Sequence, residues 1–222
     1  MNNYLICSDK SWNAKLADDL NIIFKKEAEF SLLTDRQDFD YYATRLKPKK
    51  IFYPHWNYII PKEIYENYEC VIFHTGDHRG GSPIQHLIIR GDHIATVRAM
   101  KAEKEVDSGN IYLEKVVALS GNIEEIFMRI NEKIKQIIID IIKHDLKPEI
   151  PNTLHTVLKR RKPHESDIKM LENLDKVYDY IRMLDSDNYP RAYLETDKLR
   201  FEFSNATRKV GKVEAIVKIM EK

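Results

Sequence analysis

A polar, glycine-rich segment interrupts an apolar part of the chain. The stretch HTGDHRGGSPIQ, residues 74–85, places two histidines, an aspartate, an arginine and three glycines between the apolar run CVIF and the helical pattern IQHLIIRG. An imidazole exchanges protons near neutral pH. The glycines, followed by Ser82 as a cap and Pro83, favour a turn into a helix whose first amides could hold an anion or a developing negative charge. The segment predicts a functional site, although an ordinary strand–helix connection can have the same composition.

The elements before this segment predict how it is positioned. Apolar runs alternate with helical patterns through about the first 75 residues, which is typical of a parallel sheet with right-handed crossovers. The run ECVIF, residues 69–73, shows no alternation, as expected for a strand buried on both faces. Because ligands gather at the carboxyl ends of parallel strands, this strand would place His74 at a binding edge.

The remainder of the chain predicts two more strands, a long helix and a C-terminal extension. Residues 94–119 suggest two strands joined through EKEVDSGN, and Asn122 can cap the Ile-rich helix that follows. Three prolines and a basic cluster in residues 147–167 indicate a boundary, so we expect domains at 1–150 and 151–222. The second would contain a helix over residues 168–184 and a small antiparallel set of strands, whose exposed edges could form a homodimer contact.

Composition narrows the class of protein. Lys and Arg total 36 against 35 Asp and Glu, a net charge of +1, which does not favour non-specific nucleic-acid binding. Cys7 and Cys70 lie in apolar runs and are expected to be reduced core residues. The spacing of Cys and His predicts no metal site. With no signal-peptide pattern and no apolar run of about 20 residues, a cytoplasmic protein without membrane contact is expected.

Several short motifs follow one another between a strand end at His74 and a turn at Asp107-Ser108-Gly109. With them, the chain resembles the formyltransferase family that uses 10-formyltetrahydrofolate, whose members act on methionyl-tRNA or on amino sugars. The family pattern has a histidine at a strand end, then RG, a P-I/L-Q helix start and a D-T/S-G turn after a further strand. The matching residues are His74, Arg79-Gly80, Pro83-Ile84-Gln85 and Asp107-Ser108-Gly109. The similarity covers roughly residues 53–194. It implies a Rossmann-like, mostly parallel sheet flanked by helices, the formyltransferase fold.

The resemblance implies amine formylation with His74 and Asp107 as catalytic residues. An acceptor amine must lose a proton as it attacks the formyl carbon, and the formyl oxygen gains negative charge. His74 would act as the base or as a donor to that oxygen, and Asp107 would orient it or relay protons. We expect the two to meet because both would lie at strand ends on one edge of the sheet. Without the resemblance, Asp107 reads as an ordinary turn residue.

One family residue is missing from its position. The family has an Asn two residues before the catalytic His, where this chain has Ile72. A backbone amide near Gly80 or one of three side chains could replace the amide donor: Asn57, His55 and His78. The loop before Arg79 is also short, so that His78 is an alternative to His74 as the catalytic histidine. If nothing compensates, a non-catalytic or regulatory binding protein is the alternative function.

The resemblance also implies where the two substrates bind. The formyl donor would contact five residues: Trp56, Gly80, Gly81, Glu105 and Val106. The balanced charge favours a small acceptor over methionyl-tRNA, and the family's common small acceptor is a nucleotide-linked amino sugar used in surface glycans. Arginine forks match phosphate oxygens, so the acceptor's diphosphate could contact three arginines: Arg79, Arg160 and Arg161. A solvated basic loop is the alternative role for the cluster at 159–163.

Overall fold

The computed structural model describes residues 1–56, 58–151 and 156–222. Their contacts divide into two units. The first unit comprises Met1–Arg79, Thr96–Val117 and Ile130–Thr156, and the second comprises Gly80–Ala95, Ala118–Arg129 and Val157–Lys222. Each unit is thus assembled from separate stretches of sequence, and a division at residue 150 stays a prediction.

Strands and helices alternate in the first part of the chain, as its pattern predicts. The described strands are β1 (Asn2–Cys7), β2 (Ala28–Leu33), β3 (Lys50–Tyr53), β4 (Cys70–Thr75), β5 (His78–Gly80), β6 (Ile94–Lys101), β7 (Ile111–Ala118), β8 (Thr156–Leu158), β9 (Ala192–Glu195), β10 (Leu199–Lys209) and β11 (Lys212–Glu221). The helices are α1 (Asn13–Phe24), α2 (Phe39–Leu46), α3 (Lys62–Asn67), α4 (Pro83–Arg90), α5 (Ile123–Lys143) and α6 (Leu174–Met183), with 3₁₀ turns at Arg36–Asp38 and Pro163–Ser166. Among these residues, no helix has the length and hydropathy that a membrane span requires.

The main sheet has the strand order β2-β1-β3-β4-β6-β7. The first four of these strands are parallel, which confirms the predicted α/β class. β6 runs antiparallel to β4, so that His74 pairs with Arg98 while Val71 pairs with Lys101. β6 therefore ends beside the start of β4, at the opposite end of that strand from His74.

The core lies in the centre of this sheet. All side chains of β3 and most of those of β1 and β4 are buried, including Leu5, Ile51 and Val71 at 0% exposure. Burying such a side chain contributes about 1.5–3 kcal/mol. Both free cysteines are buried here, as their apolar surroundings predict.

α5 follows its predicted pattern. The backbone N–H of Glu125 donates to the side chain of Asn122, and the backbone N–H of Asn122 donates to the Glu125 carboxylate, so the two ends of a capping box are satisfied. The isoleucines of one face are buried as expected: Ile123, Ile126, Ile130, Ile134, Ile137 and Ile141.

Two predicted details of the second unit are wrong. The last helix begins at Leu174 rather than at Ile168, because the side chain of Asn173 accepts the backbone N–H of Lys176 and starts the helix there. Ser82 does not cap α4 through its side chain; its Oγ accepts the backbone N–H of Arg161 instead. Pro83 occupies the first turn of α4, and β9, β10 and β11 form an antiparallel sheet, both as predicted.

Candidate functional site

His74 lies near the carboxyl end of β4. It was expected to follow the strand directly, and it is the penultimate residue of it, so the backbone of two neighbouring strands fixes its position. The side chain is only 8% exposed. A histidine held on a central strand can present its ring with little freedom.

Asp107 approaches His74 from the connection between β6 and β7. Its Oδ2 lies 3.3 Å from His74 Nδ1, and the Asp107 side chain is 16% exposed. Asp107 has a φ of 53°, a left-handed conformation that Asp and Asn adopt more readily than most residues. The predicted pairing of the two side chains is therefore present in the structure.

The predicted reason for this pairing is wrong. Because β6 is antiparallel to β4, the connection that carries Asp107 starts beside Val71 and not at the carboxyl edge of β4. The connection is anchored by Arg79, whose Nε and Nη2 donate to the Val106 carbonyl at 2.9 and 2.7 Å. Arg79 Nη2 also lies 3.3 Å from the Glu105 carboxylate. Arg79 thus positions the loop next to His74, a role that sequence reasoning missed.

His78 is the substitute donor that the structure brings next to His74. The two rings stand nearly perpendicular with centroids 6.0 Å apart, and His78 is 3% exposed. Its Nδ1 lies 3.3 Å from the carboxylate of Asp77. Two buried imidazoles, each facing a carboxylate, therefore occupy adjacent positions.

The remaining nitrogen of His74 is chemically available. Its Nε2 is buried, and among the described residues it has no hydrogen-bond partner. When Nδ1 carries the proton and donates it to Asp107, Nε2 is the unprotonated nitrogen. A buried nitrogen with an open lone pair can accept a proton from a bound molecule.

The other two substitute donors are placed differently. Asn57 lies outside the described residues. His55 has a φ of 54° and packs edge-on against Trp12 with ring centroids 5.9 Å apart. Burial, and then the charge of Lys10, lower the pKa of His55 to about 4, while a hydrogen bond with Asn131 opposes the shift. A neutral imidazole is therefore expected at His55 near neutral pH.

Trp56 lines a cavity of about 300 Å³ in the first unit. Aliphatic and aromatic side chains form its wall, and Arg36 contributes a cation. The aromatic ones are Phe39, Tyr53, Trp56 and Tyr58. Trp56 Nε1 is buried without a hydrogen-bond partner among the described residues. Ile72 packs against the same apolar cluster as Trp56, and alternation along β4 puts Ile72 and His74 on one face of the sheet. The cavity and His74 therefore share that face.

Gly80 and Gly81 are required by the packing of the chain itself. Gly80 has a φ of +103°, and a Cβ there would lie 2.2 Å from the carbonyl oxygen of Leu158. A Cβ on Gly81 would lie 2.6 Å from Cβ of Arg160. Contacts of these glycines with a formyl donor stay a prediction, as do those of Glu105 and Val106.

Arg160 and Arg161 differ in how many contacts their side chains make within the protein. Arg161 lies 5.1 Å from the Tyr180 ring centroid and donates to the Glu165 carbonyl, while its buried Nε has no partner in the described chain. Arg160 is exposed. Phosphate binding by Arg79, Arg160 and Arg161 stays a prediction. Across the described residues, no three His, Cys, Asp or Glu side chains converge as a metal site needs.

Fold and site together define a Rossmann-like α/β protein with a buried histidine–aspartate pair at the end of a central strand. A solved structure titled methionyl-tRNA formyltransferase from Clostridium thermocellum is 39% identical, has a TM-score of 0.94 and is matched over 100% of both chains. The family model described as methionyl-tRNA formyltransferase, C-terminal domain, matches residues 163–220. The chain belongs to the formyltransferase family.

A curated protein and a more distant solved structure are also similar to this chain, and the solved structure shares its fold. The curated methionyl-tRNA formyltransferase of Nitratiruptor sp. is 31% identical over 97 residues, and the match covers 41% of this chain but only 32% of that relative. The chain thus spans about a third of the length of that curated relative. HypX from Aquifex aeolicus in complex with tetrahydrofolic acid is 21% identical with a TM-score of 0.73, over 91% of this chain and 37% of HypX.

Proposed function

We propose that the protein transfers a formyl group from 10-formyltetrahydrofolate to the primary amine of an acceptor. The observation that carries this proposal is the buried pair of His74 and Asp107, 3.3 Å apart, with His74 Nε2 left without a described partner. Formyl transfer needs such a group, because an attacking amine must lose a proton in or after the transition state.

His74 accepts the amine proton at Nε2. Asp107 holds the proton on Nδ1, which fixes both the tautomer and the orientation of the ring. Asp107 also stabilises the imidazolium that forms. Arg79 contributes indirectly, because its fork to the Val106 carbonyl holds the segment on which Asp107 lies.

His78 supplies the donor that Ile72 does not. Negative charge develops on the formyl oxygen, and a positioned donor there accelerates such reactions by about 10²–10³. The ring of His78 is next to that of His74 and its Nδ1 faces Asp77. Because Nδ1 of His78 faces the Asp77 carboxylate, it carries a proton there, and His78 donates to the formyl oxygen from Nε2 as the imidazolium.

The formyl donor fits the cavity beside Trp56. The folate, when bound, supplies an activated formyl carbon. Its pterin is flat and rich in acceptor atoms, and the cavity offers aromatic faces and the unpartnered Nε1 of Trp56. Membership of the family and the folate complex of HypX support this donor.

A nucleotide-linked amino sugar is the first candidate acceptor. The net charge of +1 lacks the cationic excess that polyanion binding favours. Arg160 is exposed, and Arg161 retains a buried nitrogen without a described partner, which suits a diphosphate. An acceptor of this class would serve surface glycan synthesis.

Methionyl-tRNA is the second candidate acceptor. It is favoured by the printed names of the similar proteins, above all by the Clostridium thermocellum structure that matches the whole chain at 39% identity. Both acceptors present a primary amine, so the chemistry at His74 is the same for either.

Release of tetrahydrofolate, followed by absorbance with each acceptor, tests the activity. We expect His74→Ala to lower turnover by at least about 10²-fold, whereas His144→Ala, at an exposed histidine, leaves it unchanged. Near-normal turnover by folded His74→Ala would overturn the site. Folate binding without transfer to either acceptor would instead support a binding or regulatory protein.

A further inference from the structure

A second arginine approaches the two histidines of the site from β6. Arg98 lies directly opposite His74 in the antiparallel pairing of β4 with β6. Directly opposed residues project from the same face of a sheet, so Arg98 and His74 share one face. The Arg98 side chain is only 12% exposed. A largely buried guanidinium therefore lies beside the proposed catalytic base, at a position to which the mechanism described above gives no role.

This guanidinium holds the bend that follows β4. Arg98 Nη1 donates to the carbonyl of Gly76. The backbone N–H of the same glycine donates to the Thr96 carbonyl at 2.9 Å. Both backbone polar groups of Gly76 are therefore bound by β6, the N–H by the backbone of the strand and the carbonyl by the Arg98 side chain.

Gly76 determines how the chain passes from one histidine to the other. The chain bends at Gly76 and Asp77, and Gly76 is buried with a φ of +112°, in the region that favours glycine. Two residues further on lies His78, whose ring centroid is 6.0 Å from that of His74. The conformation at Gly76 sets the direction in which the chain leaves β4, and hence the position of the His78 ring.

Glu114 of β7 orients the guanidinium and offsets its charge. Arg98 Nε donates to the Glu114 carboxylate while Nη1 donates to the Gly76 carbonyl. A guanidinium bound by two acceptors in different directions has little freedom to rotate. The carboxylate also offsets the positive charge that would otherwise oppose an imidazolium at His78.

We propose that Arg98 is a positioning residue for formyl transfer, because it fixes the bend at Gly76 and so directs His78 at the formyl oxygen. This inference rests on the proposed function, since it needs His78 as the donor to that oxygen. Arg98 acts through His78 and not on the reacting atoms. Displacement of a positioned group by about 1 Å can cost about 10²-fold in rate, so that the hydrogen bond to Gly76 contributes to turnover.

A double-mutant cycle in kcat tests whether Arg98 acts through His78. Arg98→Met keeps the apolar stem of the side chain and removes its donors. We expect it to lower kcat about 10- to 100-fold, with KM for both substrates changed by less than about twofold. His78→Ala should cost about 10²–10³-fold, and the added Arg98→Met should then cost less than about twofold more. An undiminished effect of Arg98→Met in the His78→Ala background would overturn the proposal.

Arg182 provides a matched control for Arg98→Met. Its side chain is 10% exposed, pairs with Asp179 and donates to the carbonyl of Gly121, a glycine with a φ of +81°. Arg182→Met removes the same kind of contact from the second unit, so it should lower stability without lowering kcat. An equal loss of kcat in Arg98→Met and Arg182→Met would show that lost stability alone reduces turnover, and would overturn the positioning role.

Glu114→Gln is a second variant that keeps the test decisive should Arg98→Met fail to fold. Glu114 is 44% exposed, so its substitution carries little risk to the fold. Loss of the carboxylate frees the Arg98 guanidinium, and kcat should fall by up to about fivefold. The His78→Ala background should abolish this effect. A loss of the same size in both backgrounds would count against the proposal.

A crystal structure of Arg98→Met tests the proposal apart from catalysis. We expect the His78 ring to be displaced by about 1 Å or more relative to His74, while the strands of the main sheet stay in place. Rings at the spacing of the unmodified protein would overturn the proposal. An unmodified chain that transfers no formyl group would overturn the proposed function, and the displacement of the ring would still decide whether Arg98 holds His78 in position.

Discussion

Asp107 Oδ2 lies 3.3 Å from Nδ1 of His74, and Arg79 connects the two segments through the Val106 carbonyl. Asp107→Asn should lower kcat about 10²–10³-fold, because an amide does not fix the imidazole tautomer or stabilise the imidazolium. The fold should be intact, since Asn also tolerates a φ of 53°. Turnover kinetics and thermal unfolding measure both effects. Glu103→Gln, at an exposed residue of the same loop, is the control; equal losses in the two variants would remove Asp107 from the mechanism.

The guanidinium fork of Arg79 can be tested by Arg79→Lys. Lysine keeps the charge but cannot form two parallel hydrogen bonds to the Val106 carbonyl. We expect kcat/KM for formyl transfer to fall about 10- to 100-fold through displacement of Asp107, with faster hydrogen exchange in residues 103–108. Arg90→Lys, in an exposed pair with Asp92, should change neither quantity. Unaltered exchange in that loop would contradict the anchoring role.

The histidine could be predicted from its local sequence, and its surroundings could not. An apolar run that ends in His74 predicts a strand end, and the structure confirms it. Asp107 needed the family resemblance, because DSG alone predicts only a turn. The contact of Arg79 with a backbone carbonyl could not be predicted, because the spacing of residues in the sequence does not indicate it. The antiparallel direction of β6 also depends on which strands become neighbours, so the route to Asp107 was predicted wrongly.

A partly buried ion pair supports the opposite end of the sheet. The side chain of Lys50 is 1% exposed and pairs with Glu69, which also accepts from Tyr112 Oη at 2.7 Å. Burial raises the pKa of Glu69, but Lys50 and Tyr112 lower it more, so the pKa is below its ordinary value. This pair therefore adds stability above the unfolded pKa of 4.5, and the contribution is lost as pH falls through the lower folded pKa.

Glu69→Gln should therefore destabilise the protein near neutral pH. The expected loss is on the order of 2 kcal/mol, less than for a fully buried pair because Glu69 is 33% exposed. The difference from the unmodified chain should narrow in strong acid. Urea unfolding at several pH values measures it. Glu66→Gln, which breaks an exposed pair with Lys62, should cost under about 0.5 kcal/mol. A loss that persists unchanged in acid would argue against the ion pair.

His55 predicts a separate pH dependence. Its pKa of about 4 lies below the unfolded value of 6.5 because burial disfavours the imidazolium. Between these values the unfolded chain binds more protons, so stability should fall as pH decreases from 6.5 to about 4, by up to about 3 kcal/mol. His55→Asn removes the titration and tolerates the left-handed backbone. It should flatten the curve of unfolding free energy against pH, and His144→Asn should not. Parallel curves for His55→Asn and the unmodified chain would exclude His55 as the source.

Alanine substitutions at Gly80 and at Gly91 can separate the cost of backbone strain from the cost of close packing. Their φ values are +103° and +95°, but a Cβ on Gly80 would meet the Leu158 carbonyl at 2.2 Å, whereas nothing lies within 4 Å of one on Gly91. Gly91→Ala should cost about 1–2 kcal/mol of unfolding free energy from strain alone. Gly80→Ala should cost about 3 kcal/mol or more, since the backbone of Leu158 must also move. Urea unfolding of both variants measures the difference, and equal losses would show that the contact with Leu158 does not constrain the second unit.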